Sequence, residues 1–330
     1  MTTRVQIVDF QERIVNLIQS AGLPRNEAQI VFDHLLDSEM SGYSSHGFMR
    51  VPKIFKDLKS NSVGDTQIEN ETPISVLLNG GYKTGLVVAF KAVELALSKV
   101  RQVGVGFVGG YNNTGTLGAL GYFTRKIAEE GYIGFMAVAS EYAMAPWGGK
   151  DPILGTNPLS FSFPNNGQPI VIDFSTSAWT YGALKIAMKE NRTIPTGVVL
   201  DADGNDSTDP NAADYGSQLP IAQHKGYALA LAIEILGGLY VGAKAGCQAV
   251  EGTDGFLMMA IRTDLFVNSS KYLADIDSLI TEIKNSSLRP GYSEILLPGE
   301  RSNRVRDANA NRDYIELSQN LLDEIESLGK

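Results

Sequence analysis

One short segment brings together the residue types that proton transfer and carboxylate binding require. Ser44, Ser45 and His46 are followed by Gly47, and Arg50 lies four residues after the histidine. A histidine can exchange a proton near neutral pH, and an arginine can hold a carboxylate through two parallel hydrogen bonds. The segment therefore indicates acid–base chemistry on a carboxylic acid. A capping loop with an incidental histidine explains it equally well on its own.

A second segment has the composition of an anion site. His224, Lys225 and Gly226 stand at the start of an apolar stretch, residues 227–243, which predicts a buried helix around Glu234. A lysine at this point adds its charge to the free amides and the positive end of the helix. The alternative, a solvated lysine at the start of a helix, is the commoner arrangement.

Glycine-rich loops accompany these segments. Residues 112–122 lead into a predicted helix, and residues 147–149 and 155–158 follow predicted strands. Each loop alone is a weak signal. With 34 glycines in 330 residues, the loops together indicate a ligand cleft that is lined by backbone.

The elements predicted to position these loops fall into three parts. Apolar periodicity predicts helices in the first 60 residues, alternating strands and helices from Pro73, and helices again at the end of the chain. The layout that follows is a central mixed α/β domain, with both chain ends packed together as a helical second domain. The predicted helices near the ends cover residues 8–22, 24–40, 51–58, 272–285 and 314–328.

One stretch matches a dinucleotide-binding fingerprint only formally. Gly104, Gly106 and Gly109 have GxGxxG spacing. That fingerprint needs a strand before it and a helix after it, so that backbone amides face the pyrophosphate. Here a predicted helix precedes the glycines, which lie inside a predicted strand. The sequence therefore argues against a Rossmann fold.

Composition excludes several classes of protein. Apolar residues make up 43% and charged residues 20%, which is typical of a globular chain. The 28 basic residues form no run and are outnumbered by 37 acidic ones, which argues against nucleic acid as a partner. With three histidines, one cysteine and no metal-ligand spacing, no metal site is expected. The single cysteine, Cys247, is expected to be buried, and a cytoplasmic protein without a signal peptide or membrane span is expected.

Taken in order, a set of segments resembles the malate/L-lactate dehydrogenase family, which also holds ureidoglycolate and sulfolactate dehydrogenases and the cyclic imino acid reductases. Each segment alone is unspecific, but the ordered set spans nearly the whole chain. The segments are SSHGFMR (44–50), NNTGTLGALGYF (112–123), GTNPLSFSFP (155–164), VIDFSTS (171–177), IPTGVVLDADGNDSTDP (194–210), LPIAQHKGYALALAIEIL (219–236) and PGER (298–301).

This resemblance implies an α/β (α+β) fold of the sulfolactate dehydrogenase type, which is not a Rossmann fold. A mixed central sheet domain, residues 73–265, would bind the cofactor. A helical domain would be built from both chain ends, residues 1–72 and 266–330. The resemblance also implies NAD or NADP as cofactor, a small carboxylic acid as substrate and a homodimer as the assembly.

The resemblance further implies roles for individual residues. His46 matches the proton donor of the imino acid reductases, with Ser45 and Asp173 as its relay partners. Arg50 matches a contact to the substrate carboxylate, and Thr116 and Thr156 are assigned to the substrate side of the site. The implied cofactor contacts are Ser140, Gly155, Asn157, Phe174, Ser175, Thr176, Lys225, Gly299, Glu300 and Arg301.

Two places depart from the family's pattern. Thr116 stands where dehydrogenases of the family carry an acid–base histidine, and a threonine cannot hold a proton near pH 7. Oxidation of a 2-hydroxy acid must remove a proton from the alcohol, whereas an iminium substrate already carries its proton. Thr116 therefore favours reduction of an imine or an unusual oxo acid, or His46 as sole acid and base. Ala222 and Gln223 replace the usual Gly-Gly before Lys225 and are expected to reshape the cofactor pocket.

The sequence thus predicts an NAD(P)H-dependent oxidoreductase of a small 2-oxo, 2-hydroxy or 2-imino carboxylic acid, with hydride from the nicotinamide and a proton from His46. The alternative is a cofactor-binding family member without the usual dehydrogenase activity, which Thr116 motivates. A structural oligomer without a ligand is disfavoured, because packing would not require polar groups at Ser45, His46, Asp173 and Lys225.

Overall fold

The structure is a computed structural model that describes residues 2–249 and 254–329, so the domain bounds predicted at residues 1 and 330 lie outside it. The helices are α1 (Ile7–Ser20), α2 (Arg25–Met40), α3 (Val51–Ser60), α4 (Gly85–Val103), α5 (Leu120–Glu129), α6 (Tyr181–Lys189), α7 (His224–Ile233), α8 (Ser269–Lys284), α9 (Glu300–Asn309) and α10 (Gln319–Leu328). The strands are β1 (Thr2–Gln6), β2 (Gln67–Glu71), β3 (Ser75–Asn79), β4 (Val105–Tyr111), β5 (Tyr132–Ala139), β6 (Tyr142–Met144), β7 (Leu154–Gly155), β8 (Leu159–Phe163), β9 (Ile170–Phe174), β10 (Val199–Leu200), β11 (Asp206–Ser207), β12 (Ser217–Gln218), β13 (Gly255–Arg262) and β14 (Tyr314–Ser318).

A mixed sheet forms the centre of the molecule, as the sequence predicted. Its seven strands have the order β2-β3-β4-β13-β5-β8-β9, in which β3 and β4 are parallel and the other neighbours antiparallel. Because β13 runs against both β4 and β5, Gly255 at its start lies beside Ala139 at the end of β5. The loops that follow β4 and β5 therefore leave the sheet at one edge, and this edge carries the site.

The stretch with GxGxxG spacing is a strand preceded by a helix cap. Gly104 ends α4 in the left-handed conformation, with φ of 88°. Gly106 and Gly109 lie in β4, where a β-carbon on Gly106 would come within 2.5 Å of the carbonyl oxygen of Ala96. Gly106 allows α4 to pack closely on the sheet, and the position of the three glycines in a helix cap and a strand confirms that they do not form a Rossmann turn.

The first and last strands pair with each other. β1 is antiparallel to β14, with Thr2 opposite Ser318 and Gln6 opposite Tyr314. The predicted helix over residues 314–328 was therefore wrong for its first five residues, because its local periodicity does not reveal a partner at the other end of the chain. Behind the strand pair, residues of α1, α3 and α10 share one core: Phe10, Ile14, Val51, Ile54, Leu321, Leu322 and Ile325.

The apolar stretch after Lys225 is not one buried helix. α7 ends at Ile233, and a wide π-type turn at Glu234–Gly238 precedes a 3-10 turn. Tyr240 in that last turn is 74% exposed, and Cys247, expected to be buried, is exposed as well. Hydropathy alone does not distinguish a buried helix from one that presents an apolar face at the surface. Among the described residues, no helix is long and apolar enough to cross a membrane.

Candidate active site

The turn that carries His46 is fixed on both sides. Ser44–His46 and Phe48–Arg50 form two successive 3-10 turns between α2 and α3. The ring of Phe48 is fully buried, with its centroid 4.9 Å from that of Phe10. The hydrophobic core therefore anchors the backbone next to the histidine.

The structure brings three of the predicted site residues together. Ser45 Oγ lies 3.1 Å from Nδ1 of His46, and Arg50 donates from Nε to the carbonyl oxygen of Ser45 at 2.7 Å. A β-carbon on Gly182, in the first turn of α6, would lie 2.9 Å from Cβ of Ser45. α6 therefore closes tightly over this turn.

His46 is neutral at pH 7 in this arrangement. Burial and then the positive charge of Arg50 lower the pKa of the imidazole to about 4. A neutral imidazole can accept a proton, but it must first gain one in order to donate. An anion bound to Arg50 would offset one cause of the low pKa, so proton donation by His46 depends on what Arg50 holds.

Asp173, the predicted relay partner, is bonded elsewhere. Its Oδ2 accepts a hydrogen bond from the amide of Gly121 at 2.7 Å. Partial loss of hydration raises the pKa of its carboxyl, although this amide opposes the rise. Within the described ranges, no hydrogen bond joins Asp173 to His46. The predicted relay therefore does not continue beyond His46 in this structure.

Thr116 uses its hydroxyl within its own loop. Its Oγ1 accepts from the amide of Gly118 at 2.9 Å. The ring of His34 packs against the same loop, where a β-carbon on Gly118 would come within 2.1 Å of its Cε1. Burial lowers the pKa of His34 to about 4, so this ring is neutral as well. The loop therefore supplies hydrogen-bonding groups without a group that titrates near pH 7.

Several predicted cofactor contacts form one hydroxyl-rich surface. Ser140 donates from its amide to Oδ1 of Asn157 at 3.2 Å, and its hydroxyl lies 3.4 Å from that of Thr156. The hydroxyls of Ser175 and Thr176 both donate to the carbonyl oxygen of Thr156 at 2.9 Å. The loops after β5, β7 and β9 thus meet in a single polar network.

A buried carboxylate that the sequence analysis assigned no role holds this surface in place. Glu234 is 4% exposed and accepts hydrogen bonds from Asn157 Nδ2 at 2.6 Å and from the amide of Gly246 at 2.8 Å. Gly155 lies beside it, and a β-carbon there would come within 2.4 Å of the carbonyl oxygen of Ser140. The position of Glu234 in the middle of the apolar stretch 227–243 was a sequence signal for a buried charge. It does not reveal that Asn157 and Gly246 are the hydrogen-bond donors.

The loop before α7 has an uncommon backbone. Ala222 has φ of 50°, and Gln223 has φ of 60° with ψ of -129°, in a region that non-glycine residues rarely adopt. The amide of Ile221 donates to the carbonyl oxygen of Thr176 at 2.8 Å, which joins this loop to the hydroxyl-rich surface. Lys225 follows in the first turn of α7 and is exposed. In the described part of the chain its ammonium group has no acidic partner, so it is available to an anion.

A cavity of about 320 Å³ brings two further predicted cofactor contacts together. Phe174, which is 38% exposed, and Gly299 line it beside Asp173. Gly299 has φ of 81°, and a β-carbon there would lie 2.7 Å from the carbonyl oxygen of Val171. The glycine therefore lets the start of α9 approach β9 closely.

In the rest of the PGER segment, Glu300 forms ion pairs within the protein and Arg301 faces solvent. Glu300 accepts from Nζ of Lys284 and, at 2.6 Å, from Arg304. Arg301 is exposed. The carboxylate predicted to contact the cofactor is thus already bonded to two cations.

The same edge of the sheet holds another titratable group that no sequence signal marks. Asp254 directly precedes β13, and its carbonyl oxygen accepts from Nδ2 of Asn113 at 2.6 Å. Burial and the charge of Glu141 raise the pKa of its carboxyl to about 7, opposed by a hydrogen bond from the amide of Glu141 and by the charge of Lys53. The loop that lacks a histidine at Thr116 therefore leaves the sheet next to a carboxyl that titrates near neutrality.

Comparison with known proteins places the chain in a family. The family model described as malate/L-lactate dehydrogenase matches residues 5–326. The L-sulfolactate dehydrogenase of Methanothermobacter thermautotrophicus is 38% identical, over 94% of this chain and 92% of that protein. The (2R)-3-sulfolactate dehydrogenase (NADP(+)) of Chromohalobacter salexigens is 32% identical over 98% of both chains.

A solved structure agrees with the fold described above. The sulfolactate dehydrogenase from Methanocaldococcus jannaschii superposes with a TM-score of 0.90 and 33% identity, covering 99% of this chain and 96% of that one. The similarity therefore extends over the sheet and both chain ends.

Proposed function

The chain belongs to the malate/L-lactate dehydrogenase family and is an oxidoreductase of the malate/sulfolactate dehydrogenase type, and from this premise we propose that it transfers a hydride between NAD or NADP and a small 2-oxo, 2-hydroxy or 2-imino carboxylic acid. The observation that carries the proposal is the grouping of Ser45, His46 and Arg50 on one half-buried turn. That group combines a carboxylate-binding cation with a proton-exchanging ring.

The residues of the hydroxyl-rich surface fit a nicotinamide cofactor. Ser140, Thr156 and Ser175 offer hydroxyls around a site where Gly155 has no room for a side chain. Lys225, which has no acidic partner among the residues that the structure describes, offers its cation to a phosphate at the adjoining start of α7. When bound, the nicotinamide supplies or accepts the hydride. The choice between NAD and NADP stays open in this proposal.

Arg50 would bind the substrate, and His46 would exchange a proton with it. The guanidinium of Arg50 would bind the substrate carboxylate and fix its orientation. In the oxidising direction, the neutral His46 would accept the proton of the hydroxyl group. In the reducing direction, the bound carboxylate would raise the pKa of His46 from its low value, so that Nε2 can carry and donate a proton. Ser45 would hold the imidazole through Nδ1.

Asp173 and Thr116 take supporting roles in this proposal. The carboxylate of Asp173 would hold the start of α5 through the amide of Gly121 rather than act as a proton relay. Thr116 would offer its hydroxyl to the substrate and leave proton exchange to His46, since its oxygen accepts from Gly118 and can still donate. This division of roles favours substrates whose reduction needs little acid catalysis, such as cyclic imines.

A second candidate is a cofactor-binding protein without dehydrogenase activity, which the threonine at position 116 favours. Fluorescence titration with NADH and NADPH tests both candidates at once. Turnover is then measured with the 2-oxo forms of malate and sulfolactate and with cyclic 2-imino acids. Binding of neither cofactor would sink the main proposal, and binding without any turnover would favour the second candidate.

A homodimer and a cytoplasmic location are proposed as well. α8 has no buried residue, and Phe266 and Leu279 are 97% and 55% exposed, which supports an apolar face that a second copy covers. Sedimentation velocity would give one monomeric species if the assembly is wrong. The single cysteine supports the location, which cell fractionation checks.

A further inference from the structure

One carboxylate contacts both turns on either side of His46. Glu39, near the end of α2, accepts from the hydroxyl of Ser44 at 2.8 Å through Oε2. Its Oε1 accepts from the amide of Phe48 at 3.1 Å. Ser44 begins the turn that ends at His46, and Phe48 begins the next turn. The two oxygens of one side chain thus span the histidine.

Gly47 has its role because of this carboxylate. A β-carbon on Gly47 would lie 2.2 Å from Oε1 of Glu39, far closer than atoms can approach. Gly47 has φ of -90° and ψ of -145°, outside the left-handed region that favours glycine, and Glu39 occupies the space that a side chain would need. The chain therefore leaves room for Glu39 at the residue next to the histidine.

Placing the charged carboxylate of Glu39 at this position opposes folding, because the group is partly removed from water. Burial raises its pKa, against the two hydrogen bonds that lower it. Among the described residues, no lysine, arginine or histidine forms an ion pair with it. Closing a turn between two helices does not require a half-buried charge, because neutral side chains can form the same hydrogen bonds.

From these contacts we propose that Glu39 is a positioning residue for the reaction: it fixes the two turns so that the imidazole of His46 and the guanidinium of Arg50 keep one relative geometry. The inference rests on the proposed function, in which His46 moves the proton. A displacement of about 1 Å at a reacting group can lower the rate about 100-fold. The hydrogen bonds of Glu39 to both turns would prevent such a displacement, which explains why the chain keeps a carboxylate at this position.

The test compares Glu39→Ala with the isosteric Glu39→Gln. The glutamine oxygen can still accept from Phe48, and its amide can donate to Ser44, whereas alanine loses both bonds. Glu130→Ala serves as the control, because Glu130 pairs with Arg101 at the surface. The readouts are kcat and KM with the best substrate, and the pKa of His46 from NMR titration of the three histidines.

In Glu39→Ala we expect kcat to fall about 100-fold. We also expect the pKa of His46 to rise from about 4 towards 6.5, because water reaches the freed turn. Glu39→Gln and Glu130→Ala should keep the wild-type His46 pKa and a kcat within about threefold. A folded Glu39→Ala protein with the wild-type His46 pKa would overturn the inference.

Gly47→Ala keeps the inference testable if Glu39→Ala does not fold. The added methyl group displaces the carboxylate, so the same rise of the His46 pKa is expected, and an unchanged pKa overturns the inference. The NMR titration needs no substrate. A protein that turns over nothing therefore contradicts the proposed function, while the Glu39 result is decided separately.

Discussion

The turn around His46 and the loop before α7 use opposite designs. In the first, Ser45, Glu39 and a fully buried Phe48 hold the histidine in place. In the second, Gln223 has a strained backbone and Lys225 points its charge into solvent without a partner in the described structure. In the first region, the protein itself supplies the hydrogen-bond and packing partners of the residues around His46. In the second region, the charge of Lys225 has no partner among the described residues.

The difference fits the separate tasks proposed for the two regions. Proton transfer requires atoms fixed within fractions of an ångström, so the structure fixes them before a substrate arrives. Holding a phosphate requires charge and free amides, which a ligand itself can complete. Substitutions at the first region should therefore change kcat, and substitutions at the second should change cofactor affinity or stability.

The largest effect is expected at His46. His46→Ala should lower kcat by about 1,000-fold, because the proposed proton donor and acceptor is lost. Thr116→Ala should cost about tenfold or less, since the threonine offers only a hydrogen bond. Steady-state kinetics in both directions measures the two losses. Equal and severe losses at both positions would contradict the division of roles and with it the comparison.

Arg50→Gln should raise KM by about 100-fold, because a hydrogen-bonded charge pair with the substrate carboxylate is lost. It should also raise the pKa of His46 in the free enzyme, since the charge of Arg50 is one cause of its low value. The acid limb of the pH profile of kcat/KM should then move to higher pH. If KM rises but the acid limb of the pH profile does not move, the charge of Arg50 does not control the protonation of His46.

Lys225→Ala should raise the Kd for the cofactor about tenfold and leave kcat at saturating cofactor nearly unchanged. The weakened binding should also depend less on ionic strength. Lys271→Ala is a matched control, since Lys271 pairs with Asp275 on an exposed face of α8. A large fall in kcat at saturation would mean that the α7 region takes part in the chemistry.

The smallest effect is expected at Gln223. Gln223→Gly should stabilise the protein by about 1 kcal/mol, because glycine adopts this backbone without strain. Gln102→Gly, in the last turns of α4, should instead destabilise it by about 0.5–1 kcal/mol. Urea unfolding monitored by circular dichroism measures both. Destabilisation by Gln223→Gly would show that the glutamine side chain contributes contacts that outweigh the strain.

Local patterns predicted most helices and, within the described residues, six of the seven strands of the main sheet; the exception is β2. Helices α1 and α3 have strong apolar periodicity, so their prediction depends on nothing beyond their own residues. β1 was missed because Thr2–Gln6 is short, largely polar and paired with residues at the other end of the chain. Strands of two residues, such as β11 and β12, have too few residues for a pattern, although the short strand predicted at residues 197–200 contains β10.

The site was predictable to the extent that its residues are neighbours in sequence. Ser45, His46 and Arg50 could be grouped because one short segment carries them. The contact between Asp173 and Gly121 depends on how β9 lies against α5, which no spacing reveals. Glu39 and Glu234 act through backbone amides of other loops, so only coordinates identify them.

The pairing of β1 with β14 has a consequence for the order in which the molecule assembles. The core behind the His46 turn includes Ile315 and Leu322, which a ribosome adds about 270 residues after the turn itself. At a synthesis rate of about 5–20 residues per second, Ile315 and Leu322 are added on the order of tens of seconds after α1 to α3. During that interval α3 lacks its contacts with α10. The turn that carries His46 is therefore among the first parts synthesised, and its surroundings are completed by some of the last residues added.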